Sequence, residues 1–159
     1  MAKHLFFLTG SSNDHQEIGG TLIGSGIAEF CDASTNFDWL LDHVKDIKAD
    51  PTAKIAVLAG EKIRSLRQNR DLPASEIVRA LYAVSPDIYT LIVAPNVVGL
   101  SSDFCARQNA EHILKVLPNR SGYSFAQHIS RRIAEALRTF YARPADNRLA
   151  AQPRNRPSP

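Results

Sequence analysis

Thr52-Ala53-Lys54-Ile55-Ala56-Val57-Leu58-Ala59-Gly60-Glu61-Lys62-Ile63-Arg64-Ser65-Leu66-Arg67-Gln68 is the stretch on which the fold turns, and two periodicities fit it. Ile55-Ala56-Val57-Leu58 is a short continuous apolar run, as in a strand buried on both faces. Ile55, Leu58, Lys62, Ile63 and Leu66 also fall at helical spacing. Asp50-Pro51 just ahead offers an N-cap followed by proline at the first helical position. The Glu-Lys-Ile-Arg-Ser-Leu-Arg continuation is good helix composition, so the sequence predicts one helix over 52–68. A helix here leaves an α+β protein with a small sheet. A strand over 54–59 makes a three-layer α/β domain instead.

The amino-terminal stretch pulls the same way. His4-Leu5-Phe6-Phe7-Leu8-Thr9 and Gly20-Thr21-Leu22-Ile23 are runs of strand length around Gly10-Ser11-Ser12-Asn13-Asp14-His15, the densest turn chemistry in the chain. That pattern predicts an antiparallel hairpin. Phe37, Leu40, Leu41, Val44 and Ile47 recur at i, i+3, i+4, i+7 and i+10, an amphipathic helix over 37–48. A second helix restarts at Asp71-Leu72-Pro73-Ala74 with Ile77, Leu81 and Val84 inward. Ile88-Tyr89-Thr90-Leu91-Ile92-Val93-Ala94, stopped by Pro95-Asn96, is the clearest strand and belongs in the middle of a sheet. Ser102 or Asp103 opens a helix over 103–117. Ser124 opens the last one, with Phe125, Ile129, Ile133, Ala136, Leu137 and Phe140 on one face.

The chain has 159 residues and a formal net charge of +3. Residues 143–159 carry Arg143, Arg148, Arg154 and Arg156 against Asp146, which is 4 − 1 = +3, so residues 1–142 are neutral overall. Basic charge confined to a tail without interleaved aromatics argues against a nucleic-acid-binding face. The tail also holds Pro144, Pro153, Pro157 and Pro159, and is expected to be a disordered basic Pro/Arg extension to a single domain over 1–142. It could serve as an adaptor to an acidic partner. Apolar runs are too short to span a bilayer or to form a signal peptide's core, so a cytoplasmic protein without membrane contact is expected. Cys31 and Cys105 are then expected as free thiols.

Few residues point to chemistry. In the 11–15 turn, Asp14 and His15 supply an acid and a base. Ser25 stands within Gly24-Ser25-Gly26, which lacks the lysine of a P-loop and the third glycine of a dinucleotide fingerprint. Cys105, near a helix start that lowers a thiol's pKa, is a nucleophile candidate; His112 falls on the same predicted helix, two turns away. Asp38, Asp42 and Asp46 at i, i+4 spacing read as a solvated face. The histidines and cysteines show no zinc-type spacing, so neither a metal nor a cofactor is predicted.

Two resemblances follow from these stretches. The hairpin with Ile23-Gly24-Ser25-Gly26, and then Asp71-Leu72-Pro73-Ala74-Ser75-Glu76-Ile77 through Asp87-Ile88-Tyr89-Thr90, resembles the later part of proteasome-type N-terminal-nucleophile (Ntn) hydrolases, over about a quarter of the chain. That family's nucleophile strand precedes the hairpin. Only Met1-Ala2-Lys3 stand there, so the resemblance implies an Ntn-like fold without its nucleophile. Arg70-Asp71-Leu72-Pro73, Ile77, the strand ending Val93-Ala94-Pro95-Asn96, and Ser101-Ser102-Asp103-Phe104-Cys105 are similar to the loop–helix–strand–helix run of Toll/interleukin-receptor (TIR) domains. Their NAD-cleaving members place a glutamate three residues after the cysteine, where this chain has the neutral Gln108.

The expectation is therefore an α+β fold: a small mixed sheet with an amino-terminal β-hairpin, packed against four or five amphipathic helices. No specific activity is assignable. A non-catalytic or partner-dependent protein, self-associating or binding another protein, is the leading reading. A small α/β enzyme, a hydrolase or a TIR-like nucleotide-processing domain, is the alternative. Strand neighbours decide between the folds. Antiparallel 4–9 and 20–25 favour the Ntn-like one, and parallel 4–9 and 54–59 the α/β one.

Overall fold

The structure is a computed structural model, described over residues 3–8, 24, 26–34, 36–60, 62–94, 99–114 and 125–143. Its elements run β1 (Lys3–Leu8), β2 (Phe30–Ser34), α1 (Phe37–Ile47), β3 (Lys54–Ala59), β4 (Lys62–Ser65) and β5 (Arg70–Pro73). They continue with α2 (Ala74–Val84), β6 (Tyr89–Ala94), α3 (Ser102–Arg107), β7 (Ala110–Leu114) and α4 (Phe125–Ala142).

β1 lies between two parallel partners, with Leu5 opposite Cys31 of β2 and Ala56 of β3. Both of its hydrogen-bonding edges are occupied, which leaves no room for an antiparallel mate. The expected hairpin is thus corrected, and with it the Ntn-like reading, whose sheet needs that pairing. The reason is burial. Leu5 and Phe7 are buried on one face and Phe6 and Leu8 on the other, the signature of a strand covered on both sides. Residues 10–15, the expected turn, and 20–23, in the expected second strand, lie outside the described residues.

The 52–68 stretch is likewise strand. Ile55, Val57 and Ala59 enter one core, Ala56 and Leu58 the other. Asp50 caps a turn instead of a helix, its Oδ1 accepting from the Thr52 amide at 2.9 Å and hydroxyl at 2.8 Å. After Gly60 the chain makes the two-stranded hairpin β4–β5, where Ile63 pairs with Leu72. The five main strands, all parallel, follow the order β2-β1-β3-β6-β7.

Helices cover both faces. α1, α2, α3 and the hairpin bury Phe37, Leu40, Val44, Ile63, Leu72, Ile77, Leu81 and Phe104 against Phe6, Leu8, Ile55, Val57 and Ile92. On the opposite face Ile133, Leu137, Phe140 and Tyr141 of α4 pack on Leu5, Phe7, Ala56, Leu58 and Leu91. This is a three-layer α/β arrangement, with the strand order of the flavodoxin-like doubly wound sheets plus an inserted hairpin. The helix predicted over 37–48 matches α1, and the strand at 88–94 matches β6 between two neighbours. The helix predicted over 103–117 is shorter. Asn109 takes a positive φ of 50°, which ends it, and 110–114 pair with β6. Ser124 and the tail beyond Arg143 lie outside the described residues.

Candidate functional site

In an open parallel sheet, ligands bind beyond the carboxyl ends of the strands, where the strand order reverses. Here that point lies between β1 and β3, where the Gly60 amide donates to the Leu8 carbonyl at 3.3 Å. The β4–β5 hairpin starts from β3 and reaches past β1 to the segment after β2, where Arg64 bridges Asn36. Asp38 holds it there. Ser65 Oγ donates to both Asp38 carboxylate oxygens at 3.1 Å, and the Arg67 amide donates to Oδ2 at 3.0 Å. Burial raises the pKa of this carboxyl, but the hydrogen bonds from Arg67, Ser65 and Leu66 outweigh it and leave the group below its ordinary value. The hairpin's arginines are also paired: Arg64 with Asn69, Arg67 with Asp42 and Arg70 with Glu76. So Asp38, expected on a solvated face, is a buried anchor at 8% exposure.

Of the sequence-predicted site residues, Asp14, His15 and Ser25 lie outside the described residues. Cys105 sits on α3 inside the helix–sheet core. Burial pushes its thiol up, and Glu111 adds to the effect. His112 is not on the same helix. It lies on β7 with Nε2 2.9 Å from the Ala94 carbonyl. Of the stretches that carry the TIR resemblance, Arg70–Pro73 form β5, Val93 and Ala94 end β6, and Ser101 caps α3, while Pro95 and Asn96 lie outside the described residues. Among the described residues no three His, Cys, Asp or Glu side chains gather as metal ligands, and no helix is long and apolar enough to cross a membrane.

A cleft of about 250 Å³ lies at the amino ends of β6 and β7, lined by Tyr89, Glu111, Arg132, Glu135, Thr139 and Arg143. The Arg143 guanidinium lies 5.6 Å from the Tyr89 ring and 5.8 Å from the Phe140 ring. Burial and Glu111 raise the Tyr89 phenol well above its ordinary pKa. The cleft faces away from the switch point, and its charges are of both signs.

Among the described residues the most exposed aromatic surface is elsewhere, along the outer margin of β2, the end strand of the described sheet. Trp39 on α1 stacks on His43 at 5.0 Å, and His43 meets the Phe6 ring edge-on at 5.5 Å. Phe6 faces His4 at 6.4 Å, and His4 stacks on Phe30 at 4.9 Å. Five rings thus run from α1 to the start of β2, with Phe6 as the buried floor. Phe30 is 51% exposed and Trp39 42%. Glu29 and Asp32 are exposed beside the same edge. The sequence carried one signal for this groove: Trp39 falls off the apolar stripe of α1, and a tryptophan on a helix's polar face has no core to fill. Phe30 gave none, because its strand was not recognised.

No family model matches the chain, and no curated protein does. Among solved structures the chain is similar to a crystal structure of a CheY-like protein, TadZ, from Pseudomonas aeruginosa. Identity is 15%, over 91% of this chain and 97% of that one, with a TM-score of 0.47.

Proposed function

We propose that this is a non-catalytic docking domain, spanning residues 1–142 and set in the cytoplasm, that takes a polypeptide along the β2 margin. The observation that carries the reading is the ring groove with Phe30 and Trp39 exposed at its two ends. Large aromatic side chains left in water, one on a strand with no second partner among the described residues and one on the helix beside it, are a liability in a free monomer. In an interface they become the anchors that supply most of the binding energy. The edge itself offers main-chain donors and acceptors for an added extended segment.

The test is site-specific photo-crosslinking from position 32, at the centre of β2, in the full chain inside its native cells. A discrete adduct to a protein, lost on Phe30→Ser with Trp39→Ser, is expected. Absence of any adduct, or adducts indifferent to the two substitutions, overturns the reading.

A further inference from the structure

We infer that the cleft at the amino ends of β6 and β7 is a binding site for a small zwitterion of the α-amino-acid class. This second site does not depend on the aromatic groove. β2 and β7 are the two end strands of the described sheet, so groove and cleft stand at opposite margins.

Charge singles the cleft out. It is lined by two guanidinium groups, Arg132 and Arg143, and two carboxylates, Glu111 and Glu135. Elsewhere four guanidinium groups find carboxylates at 2.6 to 3.9 Å: Arg64 with Asp71, Arg67 with Asp42, Arg70 with Glu76 and Arg107 with Asp103. Among the described residues none of the four charged side chains of the cleft forms such a pair, although they share one space of about 250 Å³. A simple anion there would meet the two carboxylates, and a simple cation the two arginines. A molecule that carries an ammonium and a carboxylate a few bonds apart satisfies both signs. Charge-assisted hydrogen bonds of this kind are the strong ones, and arginine takes a carboxylate through two parallel N–H bonds.

The arginine at the mouth is already ordered. Arg143 Nη1 donates to Asn109 Oδ1 at 3.1 Å, and its guanidinium lies 5.6 Å from the Tyr89 ring. Asn109 is 7% exposed and is itself fixed, its amide donating to the Pro86 and Ile88 carbonyls at 3.3 and 3.1 Å. One of the five guanidinium donors is thus committed and the others are left for a ligand, which then has less entropy to remove. The Tyr89 hydroxyl reaches Glu111 Oε1 at 3.5 Å, and the carboxylate keeps most of its acceptor capacity. Arg132, Glu135 and Thr139 follow at i, i+3 and i+7 on α4. The Thr139 hydroxyl donates to the Glu135 carbonyl at 3.0 Å, so Oγ1 offers the cleft lone pairs, which suit an ammonium. Size agrees as well. The cleft is smaller than the roughly 300–1,000 Å³ of pockets for drug-sized ligands, on the scale of a free amino acid.

The test is an amide chemical-shift titration of the isotope-labelled full chain with the standard L-amino acids, each in turn. Saturable shifts centred on residues 110–112 and 132–143 are expected with at least one of them. The N-acetyl and carboxamide derivatives of that amino acid each lack one charge and should bind about tenfold more weakly. Arg143→Gln and Glu111→Gln should each cost about tenfold in affinity. Arg132→Gln, at an exposed position, should repeat the loss while leaving the Asn109 contact in place. Absence of saturable shifts with every amino acid overturns the inference. So does a blocked derivative that binds as tightly as its parent, which makes the cleft a site for a single charge. Binding that survives all three substitutions but is lost with Phe30→Ser and Trp39→Ser puts the ligand in the groove and also overturns it.

Discussion

The Lys54 ammonium donates to the Phe140 carbonyl at 3.1 Å, joining the start of the central strand β3 to the end of α4 across 86 residues of chain. It also donates to the Tyr141 carbonyl at 3.2 Å and to that of Arg143. The last carbonyls of a helix have no partner within it, and a cation there also meets the negative end of the helix dipole. Lys54 is only 8% exposed, and burial, with Arg143 nearby, lowers its pKa. Lys54→Met keeps the length and removes the donors, leaving the carbonyls buried without their partner. A loss of about 1–3 kcal/mol in urea unfolding is expected.

The same helix end has a second fastening. The Tyr141 hydroxyl donates to the His4 carbonyl on β1 at 2.6 Å, and burial raises its pKa, so it stays a donor. Tyr141→Phe should cost about 1 kcal/mol. Because Lys54 and Tyr141 hold one helix terminus, the double variant should lose less than the two single losses added. A double-mutant cycle measures that coupling.

The hairpin over the switch point depends on Asp38. Its carboxyl has a folded pKa below the ordinary 3.8, so its contribution to stability is fully present above 3.8 and is lost as pH falls from there through the lower folded value. Asp38→Asn removes that charge from its bonds to Ser65 and Arg67. Unfolding followed from pH 5 downward should show a shallower acid loss in the variant than in the parent. Amide exchange in 62–73 should be faster at neutral pH. An unchanged acid slope would mean that another carboxylate anchors the hairpin.

What the sequence disclosed follows from how local each signal is. The α1 stripe and the β6 run lie wholly within their own elements, and both were legible. The pairing of β1 was not, because it is decided by Phe30–Ser34 and Lys54–Ala59, far along the chain, while the glycines and polar residues after β1 offered a nearer hairpin. In 52–68 the helical match joined residues of different fates. Ile55 and Leu58 are on opposite faces of β3, Ile63 is on β4, and Leu66 is exposed at the hairpin turn. The end of α3 hangs on Asn109, whose side-chain amide donates to the Ile88 carbonyl at 3.1 Å, a tertiary contact no periodicity carries. As for the site, the rings of the groove come from β1, β2 and α1. Only the strand order brings them together.

Thiol chemistry gives an independent check of the cores. Cys31 is pushed up to about 11 by burial, with Asp32 adding to it, and Cys105 is raised as well. At pH 8 about one Cys31 in a thousand is then thiolate, the form that attacks an alkylating reagent. Cys105 is 4% exposed, so a reagent must wait for local opening. Iodoacetamide at pH 8 should modify both residues far more slowly in the folded chain than in urea, with Cys31 ahead of Cys105. Rapid labelling of Cys105 in the folded chain would place it outside the α3–sheet core.

The groove should also set a pH dependence, and its sign is fixed by His4. Burial lowers the His4 pKa below 6.5; Glu29, Asp32 and Asp50 oppose this, and His43 adds to it. The folded chain therefore takes up this proton at a lower pH than the unfolded chain does. As pH falls through 6.5 toward the folded value, the unfolded state binds a proton that the folded state does not, so stability declines with acidification in that window. His4→Phe keeps a ring between Phe6 and Phe30 and removes the titration, so the decline should flatten while stability above pH 7 stays close to the parent's. Glu29→Gln removes one of the charges that hold the His4 pKa up, so the decline should extend to lower pH. If His4→Phe leaves the slope between pH 7 and 5 unchanged, the groove's rings do not govern it.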